Sequence, residues 1–237
     1  MKYKDTHKVM SQHTDANGIL RVGALLRYMQ EAAANCMIED GPSYDELFGQ
    51  GYSFVISKIR VGIYADIHAN DIIEVETWAG ESTRYTYPRY YRILRGGVTV
   101  AEASSAWALV DISKRRLVRC GEIPLGYRTD EPLSLDIGGG LRLPEHLSLV
   151  GEREVRYSDV DRNRHMNNTV YADMLCDFTL SGEGERVTRM TISFQNEAPL
   201  GETLRVYRAV VDENFLVRTQ REDGKTNIEA EILTEKI

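Results

Sequence analysis

The same order of elements is written twice in this chain. Asp15-Ala16-Asn17 precedes one helical pattern, and Asp161-Arg162-Asn163 precedes another. Ile63 to Val75, with Asp66 and Asn70-Asp71-Ile72-Ile73-Glu74-Val75, parallels Phe194 to Val206, with Glu197 and Gly201-Glu202-Thr203-Leu204-Arg205-Val206. Each half therefore reads as turn, helix, then antiparallel sheet, an α+β unit. A helix of mostly apolar and small residues followed by four long strands suits a helix wrapped by its own sheet. Two such halves can join their sheets edge to edge within one chain, which removes exposed edges. The expected organisation is a first module over 1–120, a linker over 121–150 and a second module over 151–237.

Local patterns fill in these units. Lys2 to Met10 reads as a short strand, followed by the turn-rich Ser11 to Gly18. Leu25, Leu26, Met29, Ala33, Cys36 and Met37 recur at helical spacing within Arg21 to Glu39. Gly41-Pro42 breaks that helix, and Ser43-Tyr44-Asp45-Glu46 restarts a short one with a capping-box pattern. Strands are predicted at 53–64, 72–81, 83–94 and 99–111, with Gly96-Gly97 as a hairpin turn and a last short strand after Lys114-Arg115-Arg116. Residues 121 to 150 hold three of the six prolines and Gly138-Gly139-Gly140 without periodicity, so this linker is expected to lie over the surface. The second half predicts a strand at 152–157, a helix at 169–180, and strands at 186–194, 203–212, 215–221 and 226–233.

Composition narrows the function classes. At 237 residues with 42% apolar and 27% charged side chains, the chain is long enough to bury a core and ordinary for a globular protein. No apolar run approaches the roughly 18 residues of a membrane span, and Met1-Lys2-Tyr3-Lys4-Asp5 does not read as a signal peptide, so no membrane role is expected. Cys36, Cys120 and Cys176 are odd in number, widely spaced and without Cys-x-x-Cys spacing, which fits a reducing cytoplasm and no zinc site. The five histidines form no ligand pattern either, so neither metal nor other cofactor is expected. A net charge of −7 argues against nucleic acid as a partner.

The chemistry concentrates in Asp161-Arg162-Asn163-Arg164-His165-Met166-Asn167-Asn168, just ahead of the apolar helical positions Val170, Met174, Leu175 and Phe178. A helix start offers N–H groups and the positive end of a dipole, a good place for a carbonyl oxygen that gains negative charge. Asp-x-Asn is also common turn chemistry, Asn167 or Asn168 is a natural N-cap, and His165 alone can be read as a satisfied polar residue.

Taken together, Asp161-x-Asn163-x-His165-Met166-Asn167-Asn168-x-x-Tyr171, Ile192-Ser193-Phe194-Gln195-Asn196-Glu197, Tyr52-Ser53-Phe54-Val55-Ile56 and Trp107-Ala108-Leu109-Val110-Asp111 resemble the acyl-carrier-protein thioesterases. The resemblance covers nearly the whole chain and implies two hotdog modules in tandem, a double hotdog. It also implies hydrolysis of the thioester between a fatty acyl chain and the phosphopantetheine arm of acyl carrier protein. On that resemblance Asp161, Asn163, His165 and Glu197 take the catalytic positions, with Asn167 and Asn168 on the substrate side. Members often carry a cysteine beside that glutamate; Ala198 stands there, which excludes a covalent cysteine mechanism at that position.

Elementary chemistry runs alongside. A thioester is already activated, so a positioned water, a base and an oxyanion partner suffice. His165 and Glu197 are the candidate bases, Asn163 suits the oxyanion, and Asp161 orients a neighbour; an anhydride through a carboxylate stays open. Ile19 and Leu20 stand where His165 and Met166 stand, so the first copy is expected to lack the base and to line an acyl tunnel. Met29, Ala33 and Met37, with Ala32 and Cys36, are candidate walls, although core packing explains any one of them. Docking of an acidic carrier protein would use a local basic cluster. Candidates are Arg84, Arg89, Arg92 and Arg95; Lys114, Arg115, Arg116 and Arg119; or Arg153 and Arg156 with Arg162 and Arg164, which flank the turn. An acyl-CoA thioesterase, a dehydratase of the same fold and a non-catalytic acyl sensor are the competing readings. Two modules in one chain suit a monomer or a homodimer.

Overall fold

The α+β repeat is built as one sheet. The computed structural model describes residues 2–180 and 184–237. In the first half it forms strands β1 (Tyr3–Lys8), β2 (Tyr52–Ile63), β3 (Ile72–Ala79), β4 (Tyr87–Arg95), β5 (Val98–Asp111) and β6 (Arg116–Val118), with helices α1 (Val22–Asp40) and α2 (Tyr44–Gly49). The second half contributes β7 (Ser148–Glu154), helix α3 (Val170–Thr179), β8 (Glu185–Phe194), β9 (Thr203–Val211), β10 (Asn214–Gln220) and β11 (Thr226–Lys236). The order across the sheet is β1-β3-β4-β5-β2-β8-β11-β10-β9-β7, with β6 beside β5. All pairings are antiparallel. The join between halves is β2 on β8, in register from Lys58 opposite Ser193 to Gly62 opposite Arg189.

The helices lie on one face of this sheet because their apolar residues recur at helical spacing. In α1, Val22, Leu25, Leu26, Met29, Ala32, Ala33 and Cys36 are buried. A single core joins them to Ile73 and Val75 of β3, to Tyr171, Met174 and Leu175 of α3, and to Ile192, Val206 and Ile228 of the second half. Residue Arg21 gives α1 no side-chain cap. Asp173 of α3 supplies one instead: its Oδ1 accepts the Gly23 N–H at 3.1 Å and its Oδ2 the Arg27 guanidinium at 3.1 Å. A carboxylate at a helix start is favoured by the free N–H groups and the dipole. Gly23 is required for this approach, since a Cβ there would stand 2.4 Å from that carboxylate.

Three expectations are refined. The strand predicted from residue 83 starts at Tyr87, because Thr83 and Thr86 exchange backbone hydrogen bonds of 2.9 and 2.8 Å in a tight turn. The strand predicted over 152–157 runs over Ser148–Glu154. It stops there because the Arg156 N–H is drawn to Asp159 Oδ2 at 2.7 Å, closing a 3₁₀ turn. The linker does lie over the surface, yet it is also a wall. It buries Leu125 and Leu133, while its Glu131 carbonyl accepts from Trp78 Nε1 at 2.8 Å and Tyr127 donates to the Pro42 carbonyl at 2.6 Å. Gly41 lets it pass, since a Cβ there would meet the Leu125 carbonyl at 2.6 Å. Gly96 and Gly97, at φ +57° and +81°, make the expected hairpin turn. Among the described residues no helix is long and apolar enough to cross a membrane.

Candidate active site

The turn before α3 is held from beneath by a buried carboxylate. Asp159 accepts from the Arg153 guanidinium at 2.8 Å, and its own carbonyl accepts the Asn167 N–H at 2.8 Å. Asp161 then closes the turn: its Oδ1 accepts the Asn163 N–H at 2.8 Å, its Oδ2 accepts Asn167 Nδ2 at 3.0 Å, and its carbonyl accepts the Arg164 N–H at 2.9 Å. Arg164 pays for that geometry with φ +67°. The first copy makes the same turn, with Asp15 Oδ1 accepting from Asn17 at 2.9 Å, and has Gly18 at φ +76° in the matching place.

Main-chain pairing brings His165 to Glu197. The Met166 N–H donates to the Ala198 carbonyl at 2.8 Å, and His165 bridges to Pro199. His165 Nε2 thus faces Glu197 Oε1 at 3.7 Å, with Nδ1 3.4 Å from the Met166 carbonyl. The imidazole is mostly covered (21% exposed), the carboxylate mostly open (69%). Ile19 occupies the equivalent place in the first copy, bridging to His68. The loop carrying Glu197 is fixed by buried Asn227, whose carbonyl accepts both the Gln195 and Asn196 N–H groups at 2.9 and 3.1 Å. Asn227 Nδ2 in turn donates to the Tyr171 hydroxyl at 2.9 Å. Burial pushes that phenol up to about 12, so it is a neutral, fixed partner.

A cavity of about 700 Å³ opens against this turn, with Asp161, Arg162, Asn163, Asn167 and Asn168 on its wall. The remaining walls are Ala33, Ala34 and Met37 of α1, Phe54 and Trp107 on β2 and β5, Tyr87 and Arg89 on β4, and the linker from Gly121 to Thr129. That volume is in the range of small-molecule sites. Of the walls expected from the sequence, Ala33 and Met37 line it, whereas Met29 is turned into the main core at 1% exposure. His165, Glu197 and Arg164 are not among the lining residues, so the structure divides the motif. Asp161, Asn163, Asn167 and Asn168 face the cavity, and the His165–Glu197 pair stands beside it. Asn167 is also structurally committed. Its Oδ1 accepts from both the N–H and the hydroxyl of Thr169, at 2.9 and 2.8 Å, which caps the entry to α3.

One contributor was not legible in the motif. Tyr44, from α2 of the first half, donates its hydroxyl to Asn163 Oδ1 at 3.0 Å and contacts Ser53 Oγ at 3.2 Å. Arg162 lies over the Tyr44 ring at 4.3 Å and pairs with Asp45 at 2.7 Å. With its Oδ1 engaged, Asn163 is left to present Nδ2 as a donor to the cavity. The basic clusters largely dissolve into internal pairs: Arg92 with Glu102, Arg95 with Asp71, Lys114 with Asp111, Arg116 with Glu122, Arg153 with Asp159 and Arg156 with Glu154. Among the described residues Arg84, Arg115, Arg119 and Arg164 are exposed and form no ion pair. A smaller cavity of about 360 Å³ lies against the first turn, lined by Asp15, Asn17, Ile19, Cys176 and Leu180. No group of three or more potential metal ligands occurs among the described residues.

Comparison with known proteins gives the family and the fold. The acyl-ACP thioesterase N-terminal domain model matches residues 1–123, and the C-terminal domain model matches residues 145–236. The chloroplastic palmitoyl-acyl carrier protein thioesterase of Arabidopsis thaliana is 24% identical over 226 residues, covering 88% of this chain and 55% of the relative. The chain thus spans about half the length of such curated relatives. An acyl-ACP thioesterase from Bacteroides thetaiotaomicron superposes with a TM-score of 0.89 at 20% identity, covering 98% of this chain and 97% of the other. The 12:0-ACP thioesterase from Umbellularia californica superposes with a TM-score of 0.86 at 19% identity, covering 100% and 98%. These likenesses establish the double hotdog fold expected above. Since the two family models together span both halves, the chain belongs to the acyl-ACP thioesterase family.

Proposed function

We propose that the protein hydrolyses fatty acyl-acyl carrier protein, releasing the free fatty acid and the carrier's phosphopantetheine thiol. The observation that carries this is the position of Asn163, with its free amide donor on the wall of a mostly apolar cavity and the His165–Glu197 pair one turn away. The acyl chain lies between α1 and the sheet of the first half, and the thioester carbonyl is held at Asn163 Nδ2. Water attacks the carbonyl carbon as the His165–Glu197 pair takes its proton. The carbon–sulfur bond then breaks, and the proton returns to the departing thiol. Asp161 positions Asn163 through its backbone N–H, and a donor aimed at a developing oxyanion is worth a factor of about 10²–10³ in kcat.

The first copy is proposed to be catalytically vacant, because an aliphatic side chain occupies the place of the base. The carrier protein is proposed to dock beside the turn through Arg164, with Arg162 held by Asp45 in the same region. Free Cys36, Cys120 and Cys176 suit a reducing compartment such as the cytoplasm, and the β2–β8 join lets a monomer hold both modules.

The test is turnover of medium- and long-chain acyl-carrier-protein thioesters beside the matching CoA thioesters, with wild type and His165→Ala. Carrier-protein turnover that falls about 10²–10⁴-fold in the variant is expected for loss of a proton-transfer group. Preference for CoA would move the substrate assignment to acyl-CoA. No turnover of either, with fatty acid still bound, would make the protein an acyl sensor.

A further inference from the structure

The cavity is mostly what an alkyl chain needs, with one exception. Arg89 lies on its wall and is only 8% exposed. It stands on the α1-facing side of β4, opposite Ala79 of β3 and Ser105 of β5. Among the described residues its guanidinium makes one side-chain hydrogen bond, from Nη1 to Thr77 Oγ1 at 3.3 Å, and no carboxylate pairs with it. That hydroxyl donates in turn to the Tyr90 carbonyl at 3.0 Å, so it stabilises the arginine with a lone pair only. A guanidinium has five N–H donors and is charged at every relevant pH. None of its nitrogens is both shut off from the cavity and unpartnered, so the free donors face that space, and an aliphatic chain filling it would bury them unmet, which is costly.

The neighbouring wall is polar as well. Gln30 faces the cavity from α1, Ser82 from the loop after β3, and Thr129 from the linker. The reacting turn is reached at β2, through Tyr44 and Ser53. Arg89 is two strands further across, on β4 beyond β5, and five residues further along, since Ser53 pairs with Val110 of β5 and Arg89 with Ser105. That is about 10 Å across and about 17 Å along the sheet at usual strand dimensions. A chain whose carbonyl sits at Asn163 therefore meets Arg89 with its distal part.

We propose that this cavity is built for an acyl chain carrying an oxygen acceptor on its distal part, a hydroxyl, keto or carboxylate oxygen, received by Arg89. The inference rests on the thioesterase reading of the same site and deepens it by naming the substrate class. Arg89 is a specificity-determining residue and takes no part in the bond changes.

The experiment compares acyl-carrier-protein thioesters of equal chain length, one plain, one with a distal hydroxyl and one with a terminal carboxylate, on wild type, Arg89→Met and Arg89→Lys. The matching free acids are titrated calorimetrically in parallel. Wild type is expected to favour an oxygenated chain at least about tenfold in kcat/KM, with Arg89→Met reversing the order and Arg89→Lys keeping part of it, since one charged bidentate contact is worth at least that factor. Which oxygenated arm wins identifies the acceptor. Preference of wild type for the plain chain in both assays overturns the proposal, as does an unchanged order in Arg89→Met. Absence of turnover with an oxygenated acid still bound more tightly would sink the thioesterase reading and leave the Arg89 assignment standing. Should Arg89→Met fail to fold, the wild-type order alone decides.

Discussion

Arg164 shows how the turn before α3 stores strain. The two turns share one backbone path, and the first uses Gly18 where the second holds an arginine at φ +67°. A non-glycine residue in that region costs about 1–2 kcal/mol. Arg164→Gly is therefore expected to stabilise the fold by about 1 kcal/mol, read as a rise of about 2–4 °C in melting temperature for a chain of this size. The same variant should raise KM for acyl carrier protein if the arginine serves docking; a fall in melting temperature would refute the strain argument. Tyr44→Phe removes one hydrogen bond to Asn163 Oδ1. Loss of about 0.5–1.5 kcal/mol of positioning predicts a kcat lower by about two- to tenfold with KM little changed, measured by steady-state hydrolysis. Asp161, Asn163 and His165 could be read from the sequence because a turn is local: each carries its meaning within a few positions. Tyr44 could not, because it arrives from 119 residues away. Asn167 reads from the sequence both as a cap and as a substrate-side residue, and the structure puts its carbonyl oxygen on Thr169 and the residue on the cavity wall.

Where α1 meets α3, one acid is a partner and the next is a burden. Asp173 caps α1 through Gly23. Asp177, one turn later, is exposed on its outer side, and its pKa is raised by partial desolvation and by the charge of Asp173, an effect that solvent screening keeps small. An acid whose folded pKa lies above its unfolded value binds its proton more tightly in the folded state, so ionising it costs stability. That cost is absent below the ordinary value of 3.8 and grows as pH rises through the folded pKa. Asp177→Asn should therefore unfold at higher temperature than wild type near neutral pH, with the gap closing as pH falls toward about 4; thermal melts across that range check it. A gap that is constant, or widens toward acid, would sink the account. The helices and most strands were legible because their apolar periods differ. The turn at 83–86 was not, since threonines read as strand formers and nothing local shows that Thr83 and Thr86 pair with each other.

Across the molecule, the β2–β8 ladder makes one sheet of two modules, and the linker ties down the face of the join opposite the core. Arg60 of β2 donates to the Asp136 carbonyl at 2.9 Å and to Thr191 of β8 at 3.1 Å. With a core that runs through both halves, unfolding is expected to be a single transition, seen by calorimetry as equal calorimetric and van't Hoff enthalpies; two resolved transitions would show the halves to be independent. The repeat disclosed this pairing in outline, but the wall-forming role of the linker had no sequence period to reveal it. The cavity is walled on one side by the first half and its linker and on the other by Asp161, Arg162, Asn163, Asn167 and Asn168 of the second half. The apolar part of that wall and the turn that presents Asn163 thus lie on separate stretches of the sequence. Ala33, Arg89 or Trp107 can therefore be changed without altering a residue of the turn around His165. The smaller cavity beside Ile19 lies against the first copy of that turn.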